Sequence, residues 1–201
     1  VITQKDFKRL LAYSSIEHMG LLALGAAAGG PLAIAAVLLH MLGHGLVKSS
    51  MFVLAGRILG YTGSHDIADV RNLLRRRPDL GGPFLLGAAA LLGFPPFVTF
   101  FTEVAIVFAG FQRGLGWQMA LACVLLLVVF AGLARNTLAM TVGSDPDPDA
   151  VRTSHAPPDL PSRFRQVPIG IALGVSAVIG FAAWPLAAPL LDAVAALGGA
   201  R

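Results

Sequence analysis

Three titratable residues recur every four positions inside an apolar stretch, LLHMLGHGLVKSSMFVLAG, where His40, His44 and Lys48 interrupt leucine, valine and methionine. In a helix this spacing puts them on one stripe, with Cβ atoms about 5–6 Å apart from one to the next. Histidine exchanges its proton near neutral pH, and one water can bridge a gap of that size. His40 and His44 therefore read as proton carriers, and Lys48 as the charge that biases them. The competing use of such a stripe is a helix–helix hydrogen-bond face. An ionisable group at membrane depth costs at least ~2.5 kcal/mol, so three together favour the relay.

A second group lies in GFPPFVTFFTEVAIVFAG. Pro95 and Pro96 lack backbone donors, and their rings obstruct the preceding turn, so a helix must break at Gly93-Phe94-Pro95-Pro96. Glu103 follows seven residues after Pro96. An unwound elbow admits water and frees carbonyls, while Phe100, Phe101, Val104 and Ala105 oppose charge. Those are conditions for reversible protonation. Glu103 could equally be the structural partner of a cation such as Lys48. Thr99 and Thr102 are placed to line the same path or to bond within their own helix. Glu17, with Tyr13, Ser14 and Ser15, forms a further polar patch, read evenly as relay or as the depth where the helix leaves the headgroups. His18, adjacent to Glu17, faces another side.

The elements that must position these groups follow from composition. Of 201 residues, 56% are hydrophobic and 13% charged, half the charge of an ordinary soluble domain. Mean hydropathy is +0.74. So much apolar sequence cannot hide in one small core, which excludes a soluble globular enzyme, a disordered chain and a disulfide scaffold. The single cysteine, Cys123, lies in an apolar run and reads as a small hydrophobe. A bilayer core needs about 20 apolar residues per helix. Five stretches qualify: 10–28, 32–59, 80–111, 117–140 and 169–197. Their runs are continuous rather than alternating, which favours helices over strands. The fold class is all-α, a polytopic membrane bundle of about five transmembrane helices, the third broken at Gly93–Pro96.

Residues 1–142 then form a membrane domain of four spans, 143–168 a linker, and 169–201 the fifth span and C-terminus. The linker, rich in proline and aspartate, cannot bury enough surface to fold alone and is expected to be a flexible cytoplasmic loop with His155 solvated. Asp192 is expected at the membrane interface. Twelve basic residues, among them Lys5, Lys8, Arg9, Arg57, Arg71, Arg75, Arg76, Arg77 and Arg135, fall on one side of this arrangement, and Arg113 and Arg201 on the other. The positive-inside rule makes the rich side cytoplasmic, with the N-terminus inside and the C-terminus outside. The sequence pI near 9.8 is thereby explained without nucleic acid. No phosphate loop, HExxH, GxSxG or haem and iron–sulfur cysteine set is present. No catalytic residue, cofactor or metal is expected, and ion movement remains.

Three segments together, QKDFKRLLAYSSIEHMG (4–20), LLHMLGHGLVKSSMFVLAG (38–56) and GFPPFVTFFTEVAIVFAG (93–110), resemble the C-terminal part of the proton-translocating antiporter-like membrane subunits. That superfamily comprises complex I, Mrp antiporter and energy-converting hydrogenase subunits. SSIEHMG with LLHMLxH is most similar to the hydrogenase-4 and formate-hydrogenlyase-like branch. The likeness covers residues 1 to about 142, and span five agrees by position only. Members have about fourteen helices built on inverted repeats. The resemblance implies that these spans match the last five, with His40, His44 and Lys48 on the central polar axis. Glu103 falls where relatives place lysine or glutamate at the exit of the proton path. The family's earlier helices, with their essential glutamate–lysine pair, have no counterpart here. The chain starts at Val1 inside a motif and reads as a C-terminal fragment holding the exit half.

The expected function is a non-catalytic, proton-translocating membrane subunit of a hydrogenase-like or NADH:quinone oxidoreductase-type complex in a bacterial-type inner or plasma membrane. Its partners would be membrane and peripheral subunits of that complex and the lipid bilayer, and its cargo protons or sodium. The alternatives are an Mrp-type cation/proton antiporter subunit and a truncated, non-functional chain.

Overall fold

In the computed structural model, residues 3–144 and 166–182 are described. Helix α1 (Phe7–Ala28) starts at Asp6, whose carboxylate accepts the orphan backbone N–H groups of Lys8 at 2.8 Å and Arg9 at 3.1 Å. Helix α2 (Gly30–Thr62) is one unbroken rod of 33 residues, begun by Pro31 and ended by the left-handed Gly63. A short turn, α3 (Leu73–Arg76), leads into α4 (Pro78–Leu91). Helices α5 (Val98–Gln112), α6 (Gly116–Thr141) and α7 (Gln166–Ala182) follow. No strand is present among the described residues. The expected fifth span continues past α7 outside the described residues, as do most of the 143–168 linker, His155 and Asp192.

The third expected span is broken where the prolines require. Helices α4 and α5 have 14 and 15 residues, about 21 and 22 Å of rise, so neither half alone crosses a core of about 30 Å. Backbone freed by the break is satisfied internally. The Thr99 hydroxyl donates to the Ala90 carbonyl across the elbow at 2.6 Å. Helix α7 closes over it: a Cβ on Gly180 would stand 2.0 Å from the Pro96 carbonyl oxygen, so only glycine permits that approach. The elbow is covered on its Phe97 side, whereas Phe94 and Pro95 remain exposed.

The main core gathers Phe7, Leu11, Met51, Leu54, Ile58 and Leu80, with residues of α6 and α7 completing it. Outward faces of α6 and α7 stay apolar and exposed, including Leu121, Val124, Leu127, Val178 and Phe181, as lipid-facing surfaces must be. The two ends differ in charge. At one end Phe7 N–H meets the His65 carbonyl, and the Gln166 side chain donates to the Asp79 carbonyl. Asp79 there takes both nitrogens of Arg77 at 2.9 and 3.0 Å, with Arg57 at 3.7 Å. The Arg77 guanidinium holds the Asp79 carboxyl below the usual carboxylate range. At the far end Arg113 lies over Gly30. Among the described residues, the charge asymmetry read along the chain is therefore an asymmetry between the two ends of the bundle.

Candidate functional site

The stripe on α2 faces inward: His40 is 0% exposed, and His44 and Lys48 6% each. What meets it comes from α1 and α5. The Lys48 ammonium donates to the Leu11 carbonyl at 2.5 Å and to the Ser14 hydroxyl at 2.7 Å. Its partner is therefore α1 and not Glu103. Leu11, Ser14, His18 and Leu22 recur at spacings of three and four, so α1 presents this polar line on its buried face.

His18, which the sequence places on another side of the helix from Glu17, is the residue that joins the others. It is 2% exposed. Its Nδ1–H donates to the Ser14 carbonyl at 2.6 Å, and its Nε2 faces Glu103 Oε1 at 3.4 Å. Its ring centroid lies 4.6 Å from that of His44 and 5.3 Å from that of His40. The 3.6-residue period of α1 carries the signal that would have found it, since His18 lies one turn beyond Ser14 on the buried line.

His40 is oriented by α5. The Thr102 hydroxyl lies 2.8 Å from His40 Nδ1 and within reach of the Val98 and Thr99 carbonyls at 2.9 and 3.0 Å. His40 Nε2 is buried with no partner, and so is His44 Nδ1. One ring nitrogen from each histidine lies within 4.8 Å of the others. A water making two bonds of about 2.8 Å reaches about 5.6 Å, so one water connects any pair.

Glu103 sits at the far side of this cluster. Its carboxylate fills the space beside Gly93, where a Cβ would be 2.6 Å from Oε2 and where φ is +68°. Elbow and carboxylate therefore need glycine at position 93 for two independent reasons. Glu103, Glu17, His18 and Cys123 line an open cavity of about 270 Å³ whose other walls are apolar residues of α4 and α6. Glu17, half-buried, also borders a second cavity of about 520 Å³ between α1 and α6. Of the residues singled out in the sequence, His40, His44 and Glu103 converge around His18, Lys48 joins α1 at Leu11 and Ser14, and Glu17 stands at the cavity wall. Thr99 serves the elbow and Thr102 orients His40.

An all-helical bundle of long apolar helices, one of them broken, has the architecture of a polytopic membrane protein. The profile described as NADH:quinone oxidoreductase/Mrp antiporter, TM, matches residues 1–130, and the chain belongs to that family. It is 32% identical over 189 residues to NADH-quinone oxidoreductase subunit N of Desulforudis audaxviator, covering 89% of this chain and 36% of that protein. It is 41% identical over 110 residues to the hydrogenase-4 component F homolog of Methylacidiphilum infernorum, covering 55% of this chain and 23% of that one. The structure of the Mrp complex from Dietzia sp. DQ12-45-1b superposes with a TM-score of 0.78 at 19% identity, over 96% of this chain and 43% of the matched chain, a likeness of fold. The chain spans about a third or less of the length of these curated relatives.

Proposed function

We propose that this chain forms part of a proton-translocating membrane subunit of a redox-driven complex, of the hydrogenase or NADH:quinone oxidoreductase type, and carries the outward half of its proton path. The observation that supports this most is the continuity of the buried groups: Lys48 bonded to Ser14, Ser14 to His18, His18 beside His44 and His40, and His18 against Glu103 at a cavity. A charge moved onto or off Lys48 changes the field on His44. Protons then pass through the histidines to Glu103 and leave by the cavity, with Glu17 at its wall. Electron transfer in partner subunits supplies the driving force. The test uses the complete protein in its complex. Inverted vesicles given hydrogen, formate or NADH should acidify their lumen in sodium-free buffer. Lumen acidification that needs an opposing sodium gradient and no electron donor would overturn the redox-driven reading in favour of a cation/proton antiporter.

The orientation follows from the basic end of the bundle, which we place in the cytoplasm. His65 is exposed on the loop after α2 at that end. In a Cys123→Ser background, a His65→Cys variant in intact cells should escape a membrane-impermeant thiol reagent and react in inverted vesicles. Labelling in intact cells reverses the topology.

A further inference from the structure

The three histidines that line the path also meet the conditions for a transition-metal site. We infer that His18, His40 and His44, completed by Glu103, bind one divalent ion of the zinc class. A metal-binding imidazole usually offers one nitrogen to the ion while the other donates its N–H to a fixed acceptor, which sets ring and tautomer. His18 stands this way, its Nδ1–H on the Ser14 carbonyl, and His40 has its Nδ1 fixed by a hydrogen bond with the Thr102 hydroxyl. His40 Nε2 and His44 Nδ1 are buried and unpartnered, each the cost of an unsatisfied polar atom that a ligand would remove. His18 Nε2 points to a carboxylate oxygen 3.4 Å away. Three neutral imidazoles and a carboxylate suit zinc in tetrahedral geometry, at about 2.0–2.1 Å from each nitrogen.

That geometry asks for nitrogens about 3.4 Å apart, against the present limit of 4.8 Å, a contraction within reach of side-chain rotation. The cavity walled by Glu17, His18 and Glu103 supplies a way in. Sequence spacing alone suggests no such site, because His40 and His44 share one helix while His18 and Glu103 come from two others.

Occupancy would also stop proton passage, a consequence that rests on the proposed function, whereas binding does not. The chain holds five histidines, so a His65→Ala/His155→Ala variant retains only the three at the site. In lipid nanodiscs this variant should bind one zinc ion per chain. X-ray absorption should show three nitrogens and an oxygen at about 2.0–2.1 Å and no sulfur. His40→Asn or His44→Gln added to it should raise Kd at least tenfold, with helical content unchanged. Absence of saturable binding, sulfur from Cys123 in the shell, or unchanged affinity in both variants would overturn the site. Zinc bound as described without inhibition of transport would leave the site standing and overturn the relay instead.

Discussion

Replacing Lys48 with alanine in the complete protein should reduce proton translocation at least tenfold while the subunit still assembles. The two halves of this outcome have separate causes. The ammonium makes two charge-assisted hydrogen bonds, to the Leu11 carbonyl and the Ser14 hydroxyl, each contributing about 1.5–3 kcal/mol. Burying the charge costs at least ~2.5 kcal/mol on insertion scales. The burial cost cancels much of the roughly 3–6 kcal/mol from the two bonds, so removing the group costs a few kcal/mol at most, and Ser14 keeps its own bond to Leu11. What is lost is the charge next to His44. Lys48→Met, which keeps the length of the side chain, should fail equally, and Lys48→Arg should retain partial transport. Proton flux and subunit content in the same vesicles separate the cases, and wild-type flux from Lys48→Ala would reduce the stripe to packing.

Glu103→Gln carries the second large effect: at least a tenfold loss of translocation with normal assembly. Glutamine keeps the shape beside Gly93 and can still bond His18 Nε2, but it cannot ionise. Glu103→Asp should retain part of the activity, because a shorter carboxylate reaches His18 through a water. Infrared difference spectra of the energised complex should show a carboxyl band that the glutamine variant lacks. Gly93→Ala supplies a geometric counterpart. Its Cβ would stand 2.6 Å from Glu103 Oε2, at a backbone angle that disfavours any side chain. It should impair translocation with Glu103 itself intact. Wild-type pumping by Glu103→Gln would remove this carboxylate from the path.

Much of this was legible along the chain because membrane segments are governed by one-dimensional rules. Length and hydropathy set the helices, two adjacent prolines set the break, and arginine counts set which end is basic. The i, i+4 spacing placed His40, His44 and Lys48 on one face, since helical periodicity needs no knowledge of a neighbour. Partner choice was of another kind. Lys48 could have met Glu103, and nothing in either helix alone decides otherwise. The pairing depends on α1 lying against α2 with Leu11 and Ser14 at the depth of Lys48, which leaves Glu103 to His18. Thr99 likewise bonds across the elbow rather than within its helix, because the carbonyl of Ala90 is freed only where α4 ends. His18 is the clearest case. Its sequence neighbour is a glutamate on another face, and its importance comes from three helices converging on one ring. Sequence period determined which side each group takes; helix packing decided which groups meet, because contact depends on the relative depth and rotation of separate rods.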